Sequence, residues 1–324
     1  MSRIFNNILE IKENFDLFLF DAFGVFWNGA NFLKGSIESM QQLVDNGKTV
    51  CILSNAPTIS ENTVKTFEQK GMIRGIHYNE FLTSGDAIRD AIINNKIKFK
   101  QNPYARKVYQ FGYPNRILFA NTDYIEVDNI NNAELIYIST STIKKEQYEK
   151  LKNKFGNVLF ESKKSVEGDE RWNTTDGTVF DDMIKIIADS KLPILNANPD
   201  FVANEGVKNS NIINFVIKQG YIAESLRKQG AEIIEYGKPH KEIYDFIFSF
   251  LENKGIKIDK TRTCMVGDTL RTDIKGANNA EIKSVLCLET GVTSEEIKNG
   301  KSIKYLIEKE GVTVDYFIKG VGTE

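Results

Sequence analysis

Phe15-Asp16-Leu17-Phe18-Leu19-Phe20-Asp21-Ala22-Phe23-Gly24-Val25 is the stretch on which the fold turns. A short apolar run without polar alternation reads as a strand buried on both faces. The run ends in the carboxylate of Asp21, and Gly24 lets the chain turn away. At the carboxyl end of a strand in an open parallel sheet, Asp21 stands in the crevice where such sheets bind ligands. Asp is equally favoured in an Asx-type turn. This stretch alone leaves both roles open.

The next segments repeat the pattern. A helix is expected from Ser36, with Ile37, Met40, Leu43 and Val44 on one stripe and Gly47 at its end. Thr49-Val50-Cys51-Ile52-Leu53 reads as a second buried strand, closing on Ser54-Asn55-Ala56-Pro57. Thr58 and Glu61 have capping-box spacing for a helix running to Lys70-Gly71. Strand and helix in alternation imply right-handed βαβ crossovers and a parallel sheet. From about Asp90 to Lys191 the texture changes: Asn and Lys become frequent and periodicity weakens. Strands are expected at 107–111, 134–139 and 157–160, with helices at 144–154 and 179–190. This stretch reads as a smaller α/β domain inserted into the first. The alternation then returns: a strand from Pro193, a helix over 210–229 broken by Gly220, and a strand at 232–236 ending in Gly237-Lys238-Pro239. Pro239 suits the first turn of a helix that buries Ile243, Phe246, Ile247 and Phe250. Further strands are expected at 263–266 and 284–288.

Composition narrows the classes of partner. The 324 residues carry 42 basic and 44 acidic side chains, which gives no electrostatic case for nucleic acid or an anionic membrane. No apolar run approaches the roughly 18 residues of a membrane span, and the N-terminus lacks a signal-peptide core. Cys51, Cys264 and Cys287 each lie in an apolar run, which fits buried thiols in a reducing cytoplasm. With only His77 and His240, the chain argues against a His-rich zinc site and against most triads.

Polar groups therefore gather at four strand ends: Asp21, Ser54-Asn55, Lys238 and Asp268, with Asp273 shortly after. In a parallel sheet these ends converge on one crevice. Two carboxylates there suit Mg²⁺, which takes hard oxygen ligands and keeps a substrate phosphate oxygen. A hydroxyl, helix-start N–H groups and a lysine suit the other phosphate oxygens. An aspartate so placed can attack phosphorus.

Strand-Asp21-x-x-Gly24-Val25, strand-Ser54-Asn55, Gly237-Lys238-Pro239 and Val266-Gly267-Asp268-Thr269-x-x-Thr272-Asp273-Ile274 resemble the four motifs of the haloacid dehalogenase (HAD) superfamily. The spacing, with Asn198-Pro199-Asp200, resembles its class IIA branch, the NagD-like sugar- and nucleotide-phosphate phosphatases. The resemblance implies a Rossmann-like, doubly wound parallel-sheet core over residues 1–88 and 193–324, with a C2-type α/β cap inserted at 89–192. It implies an Mg²⁺-dependent phosphatase of a small phosphorylated metabolite, with Asp21 as nucleophile and metal ligand. The Phe23 carbonyl and Asp268 would complete the protein ligands, and Asp273 would support the metal from behind. Ser54 and Asn55 would hold the phosphoryl group, and Lys238 would bridge it to Asp21. Asn28 and Asp200 are candidates to line the substrate pocket. The resemblance also implies a homodimer.

One position departs from the family pattern. A second Asp normally follows the nucleophile by two residues, protonating the leaving alcohol and later activating water; here that residue is Phe23. The alternatives are a phospholigand-binding protein without turnover or a phosphotransferase. The substrate is not legible.

Overall fold

The computed structural model describes residues 3–161, 170–204 and 215–322. A seven-stranded sheet runs in the order Ile4–Phe5, Tyr316–Ile318, Lys283–Cys287, Thr263–Gly267, Leu17–Phe20, Thr49–Ser54, Glu80–Thr83. Every pairing in it is parallel. The chain moves one way from Leu17–Phe20 through the strands at 49 and 80, and later returns on the other side through 263, 283 and 316. The order therefore reverses between Leu17–Phe20 and Thr263–Gly267. That reversal opens the crevice where such sheets take ligands.

The sheet is covered on both faces, as the opening stretch implied. Leu17, Leu19, Cys51, Leu53 and Met265 join one apolar cluster, while Phe18, Phe20, Val50, Ile52 and Val266 join the other. With both faces apolar, side-chain alternation cannot fix the register of these strands. Their ends do so. Asp16 N–H donates to the Arg262 carbonyl at 2.8 Å, Thr49 N–H to the Asp16 carbonyl at 2.8 Å, and Asp21 N–H to the Val266 carbonyl at 2.9 Å. The Arg262 guanidinium also grips the Asp16 carboxylate, Nη2 to Oδ1 at 2.8 Å.

A second parallel sheet runs Ile233–Glu235, Ile194–Asn196, Leu135–Ile138, Lys107–Phe111, Ile125–Val127. Small antiparallel pairings at Ile143–Lys144, Arg171–Thr174 and Leu159–Glu161, and at Val202–Asn204 with Phe215–Ile217, accompany it. Ile194–Asn196 and Ile233–Glu235 thus belong to the second sheet, although both were expected in the core. The division expected at 192/193 does not follow sheet membership, which changes only after Glu235. The two sheets share an apolar cluster: Val108, Leu135, Tyr137 and Leu195 pack into the one that holds Leu17 and Met265. Tyr137 Oη and Asn115 Nδ2 both donate to the Pro57 carbonyl, at 3.2 and 3.0 Å.

Several local expectations change. The helix after Pro57 is Ser60–Gln69 and has no Thr58 cap; the Asp86 carboxylate accepts from Ser60 N–H instead, at 3.1 Å. Asp86 with Thr83 forms a capping box on Ser84–Ile93, a helix that the sequence pattern did not reveal. Within 210–229, Phe215–Ile217 is a strand and the helix is Gln219–Arg227, while 210–214 lie outside the described residues. Pro239 precedes its helix, which begins at Lys241 with His240 as N-cap. That helix buries Ile243, Tyr244, Ile247, Phe248 and Leu251, leaving Phe246 and Phe250 half-buried. The stripe turns because Tyr244 seats on Gly276, where a Cβ would come within 2.4 Å of its hydroxyl.

Candidate active site

The seven-stranded sheet brings the ends that carry Asp21, Ser54 and Asp268 together, while Lys238, expected at the same edge, comes in after Ile233–Glu235 of the second sheet. Lys238 Nζ lies 2.6 Å from Asp21 Oδ1 and 2.8 Å from Asp273 Oδ1. The first contact is a hydrogen bond, and the second is an ion pair whose angle falls short of one. Lys238 is 1% exposed, Asp273 1% and Asp21 15%, so the nucleophile candidate alone keeps an opening to solvent. The other oxygen of Asp273 accepts from Asp268 N–H at 3.2 Å and Thr269 N–H at 3.1 Å. Asp273 is therefore a brace that ties Lys238 to the turn carrying Asp268. That brace was not legible in the spacing.

Asp268 is buried, and its Oδ2 accepts from Val292 N–H at 2.6 Å, at the start of the helix Gly291–Lys298. Gly24 and Gly291 make room for it. A Cβ on Gly24 would fall 2.6 Å from Asp268 Oδ2 and one on Gly291 1.9 Å, and both residues hold positive φ, +77° and +74°. Gly291→Ala is expected to push Asp268 aside. The loss is roughly 1–3 kcal/mol of stability from the strained backbone, measured by urea unfolding.

Other candidates fall into place less evenly. Ser54 Oγ is buried and accepts from Ala56 N–H at 3.2 Å. The side chain of Asn55 is committed elsewhere: Nδ2 donates to the Lys238 carbonyl at 3.0 Å and to Asp200 Oδ1 at 3.1 Å, while Oδ1 accepts from Lys238 N–H at 2.7 Å. Asn55 clamps the lysine loop, and its amide is not available to hold phosphate as expected. Asn28 is not brought to the site; its carboxamide oxygen closes its own turn by accepting from Ala30 and Asn31 N–H. Phe23 is half-buried and packs with the aromatic cluster of Trp27 and Phe32. His240 turns from the surface to the buried Glu235, Nε2 to Oε2 at 3.1 Å.

A cavity of about 20 Å³ remains among Asp21, Phe23, Gly24, Asp200, Asp268 and Thr269. That is about the room of one water-sized sphere. Carboxylate oxygens of Asp21, Asp268 and Asp273 lie within 4.8 Å of one another. Burial and the crowding of carboxylates push Asp21 up to about 7, against the pull of Lys238. Burial, then Asp273 and Asp21, raises Asp268. Burial likewise raises Asp200 to about 6. Although burial disfavours its charge, Asp21 and Asp273 hold Lys238 above the ordinary lysine range. Among the described residues the carboxylates outnumber the buried ammonium of Lys238, and hard oxygen donors around a small void fit Mg²⁺.

The stability consequence has a definite sign. Asp21, Asp200 and Asp268 keep protons in the folded chain that the unfolded chain has released, so stability without metal falls as pH rises from about 4 to about 7. A cation that binds the ionised carboxylates opposes that fall. Mg²⁺ at about 100 times its Kd is expected to add about 2.7 kcal/mol, and more at pH 8 than at pH 5. Calorimetry with and without chelator at both pH values measures this; equal Mg²⁺ shifts at both would contradict it.

Fold and site together define a class: a doubly wound α/β core with facing carboxylates and a buried lysine at its switch point, carrying an inserted α/β unit. The haloacid dehalogenase-like hydrolase model matches residues 18–117, and a second HAD-hydrolase-like model matches 235–309. The 4-nitrophenylphosphatase of Schizosaccharomyces pombe is 24% identical over 96% of this chain and 94% of its own. A haloacid dehalogenase-like hydrolase from Brucella suis 1330 superposes with a TM-score of 0.71 at 18% identity, covering 98% of this chain and 99% of its own. NagD from E. coli K-12 does so with a TM-score of 0.57 at 16% identity, covering 96% and 98%. The chain belongs to the haloacid dehalogenase-like superfamily, with the fold of its NagD-like, class IIA branch.

Proposed function

We propose that this protein is an Mg²⁺-dependent phosphatase of a small phosphorylated metabolite, acting through an aspartyl-phosphate at Asp21. The observation that carries the proposal is the Lys238–Asp21 contact at 2.6 Å inside an otherwise acidic, buried cluster. An anionic nucleophile meets an anionic phosphate only where cations offset the repulsion. Lys238 supplies one such charge from the chain itself. Asp21, the Phe23 carbonyl and Asp268 would hold Mg²⁺, which supplies Lewis-acid stabilisation of the phosphoryl oxygens when bound.

Within the chain the roles divide by position. Asp21 attacks phosphorus from the crevice mouth. Lys238, pinned by Asn55 and Asp273, holds Asp21 and meets a phosphoryl oxygen. The Ser54 hydroxyl and main-chain N–H groups of its turn receive the others. The unit built on the second sheet serves as the cap, and its segment after Ile194–Asn196 closes the site. Cys51, Cys264 and Cys287 are unpaired and buried, which supports a reducing, cytoplasmic setting. Among the described residues no helix is long and apolar enough to cross a membrane.

Phosphate release from a panel of phosphate esters and acyl phosphates, with Mg²⁺ and with chelator, tests the proposal. No metal-dependent release from any member would end it. Phe23 favours a second possibility, a binding protein that retains phospholigands without turnover; chelator-sensitive turnover rules that out.

A further inference from the structure

Resting on the aspartyl-phosphate reading above, we propose that Asp200 is the general acid and base that position 23 lacks. Four observations converge on it. Asp200 lines the cavity that Asp21, Phe23 and Asp268 also line, beside the space where the reacting atoms would meet. It enters in the segment between Ile194–Asn196 of the second sheet and Val202–Asn204, whereas Asp21 ends a strand of the first. From that side it is placed to meet the leaving group while Asp21 meets phosphorus.

Its position is also over-determined in a way a surface loop is not. Asn196 Nδ2 donates to the Asn198 carbonyl at 3.1 Å, and Asn198 Oδ1 accepts from Asp200 N–H at 2.9 Å. Gly220 N–H donates to the Asp200 carbonyl at 3.0 Å. A Cβ on Gly220 would meet the Pro199 carbonyl oxygen at 2.1 Å, and one on Gly237 would meet the Pro199 ring at 2.2 Å. Arg271 stacks on the neighbouring Phe201 ring at 3.3 Å.

The carboxyl itself is held by neutral donors, Asn55 Nδ2 at 3.1 Å and the Thr272 side chain. Its carboxylate forms no ion pair of its own among the described residues, although the Lys238 charge acts on it from nearby. An acid–base group needs the freedom to gain and lose its proton. Phe23, by contrast, packs into the aromatic cluster.

The steps balance as follows. As the Asp21 oxygen bonds to phosphorus, the bond to the ester oxygen breaks, and its electron pair takes the proton of the Asp200 carboxylic acid. The alcohol leaves neutral. The Asp200 carboxylate then removes a proton from water as the water oxygen bonds to phosphorus. The bond to Asp21 breaks, orthophosphate forms, and Asp200 regains its proton.

The test compares wild type with Asp200→Asn, both with Mg²⁺, on 4-nitrophenyl phosphate and on an alkyl phosphate. The phenolate leaves unaided and the alkoxide does not. Loss of a general acid costs about 10²–10⁴-fold in kcat/KM on the alkyl ester. On 4-nitrophenyl phosphate kcat/KM should change far less, with a burst of 4-nitrophenol because water attack on the aspartyl-phosphate is slowed. Equal loss on both esters, or none, overturns the inference. A series of aryl phosphates on wild type gives a check that needs no variant to fold: shallow dependence of kcat/KM on phenol acidity supports a proton donor, and steep dependence overturns it. Recovery of alkyl-ester turnover in Phe23→Asp combined with Asp200→Asn adds support. If wild type releases no phosphate, or Asp21→Asn leaves release unchanged, the phosphatase proposal falls and this inference with it. An active, Asp21-dependent wild type with indiscriminate loss in Asp200→Asn overturns this inference alone.

Discussion

Asp21→Asn is expected to reduce phosphate release by at least about 10⁴-fold, the scale seen when a covalent nucleophile is removed, while the fold survives. The asymmetry follows from the site. Asp21 is one of several buried carboxylates competing for one ammonium, and Asp273 retains its contact with Lys238 at 2.8 Å when Asp21 is neutralised. The substitution is nearly isosteric and removes charge from a cluster that already carries too much of one sign. Steady-state release with Mg²⁺ measures the first part and a urea midpoint the second. Retained turnover would place the nucleophile elsewhere.

Lys238→Met is expected to do the reverse, destroying stability as well as activity. Removing one member of a buried ion pair leaves an uncompensated charge and costs roughly 3–5 kcal/mol. Here it leaves two, because Asp21 and Asp273 both lean on Lys238 Nζ. The deficit should be greatest at alkaline pH, where Asp21, pushed up to about 7, is ionised, and smaller at pH 5. Mg²⁺ should restore part of the stability but not the activity, because it replaces charge without bridging Asp21 to the phosphoryl group. Unfolding at both pH values, with and without Mg²⁺, reads this directly; a variant as stable as wild type at pH 8 would contradict it.

The two substitutions separate what the site does from what the fold needs. Asp21 is held among crowded carboxylates, where the proposed chemistry needs a nucleophile. Lys238 is both the counter-charge that lets those carboxylates be buried and the group that presents Asp21. Asn55 serves that second task through the main chain of Lys238, which explains why its amide is not left for a ligand.

Much of this was legible in the chain. Leu17–Phe20, Thr49–Ser54 and Thr263–Gly267 are short, apolar on both faces and bounded by polar turns, which permits little besides parallel strands in a covered sheet. Once their direction is common, Asp21, Ser54 and Asp268 share one edge, whereas Lys238 follows a strand of the second sheet and its place beside Asp21 does not follow from that direction. The weak points were the segments whose partners are remote. Ile194–Asn196 and Ile233–Glu235 look like core strands because they are just as apolar, and nothing local says which sheet they join. Ser84–Ile93 begins with a capping box that Thr83 and Asp86 announce, but Asp86 also replaces the cap expected at Thr58 across 26 residues of sequence.

At the opening stretch, sequence alone determined that a buried strand ends in a carboxylate and that no acid stands at position 23. Its local pattern of apolar and polar residues settles that much, because burial on both faces leaves no other use for such a run. Only the tertiary structure decided which charges meet there. Lys238 lies far along the chain from Asp21, and Asp273 is tied to both the lysine and the turn of Asp268. Asp200 arrives from the other sheet into the same small cavity. Through-space electrostatics depends on distance and burial, and neither is written in the spacing of residues along a chain.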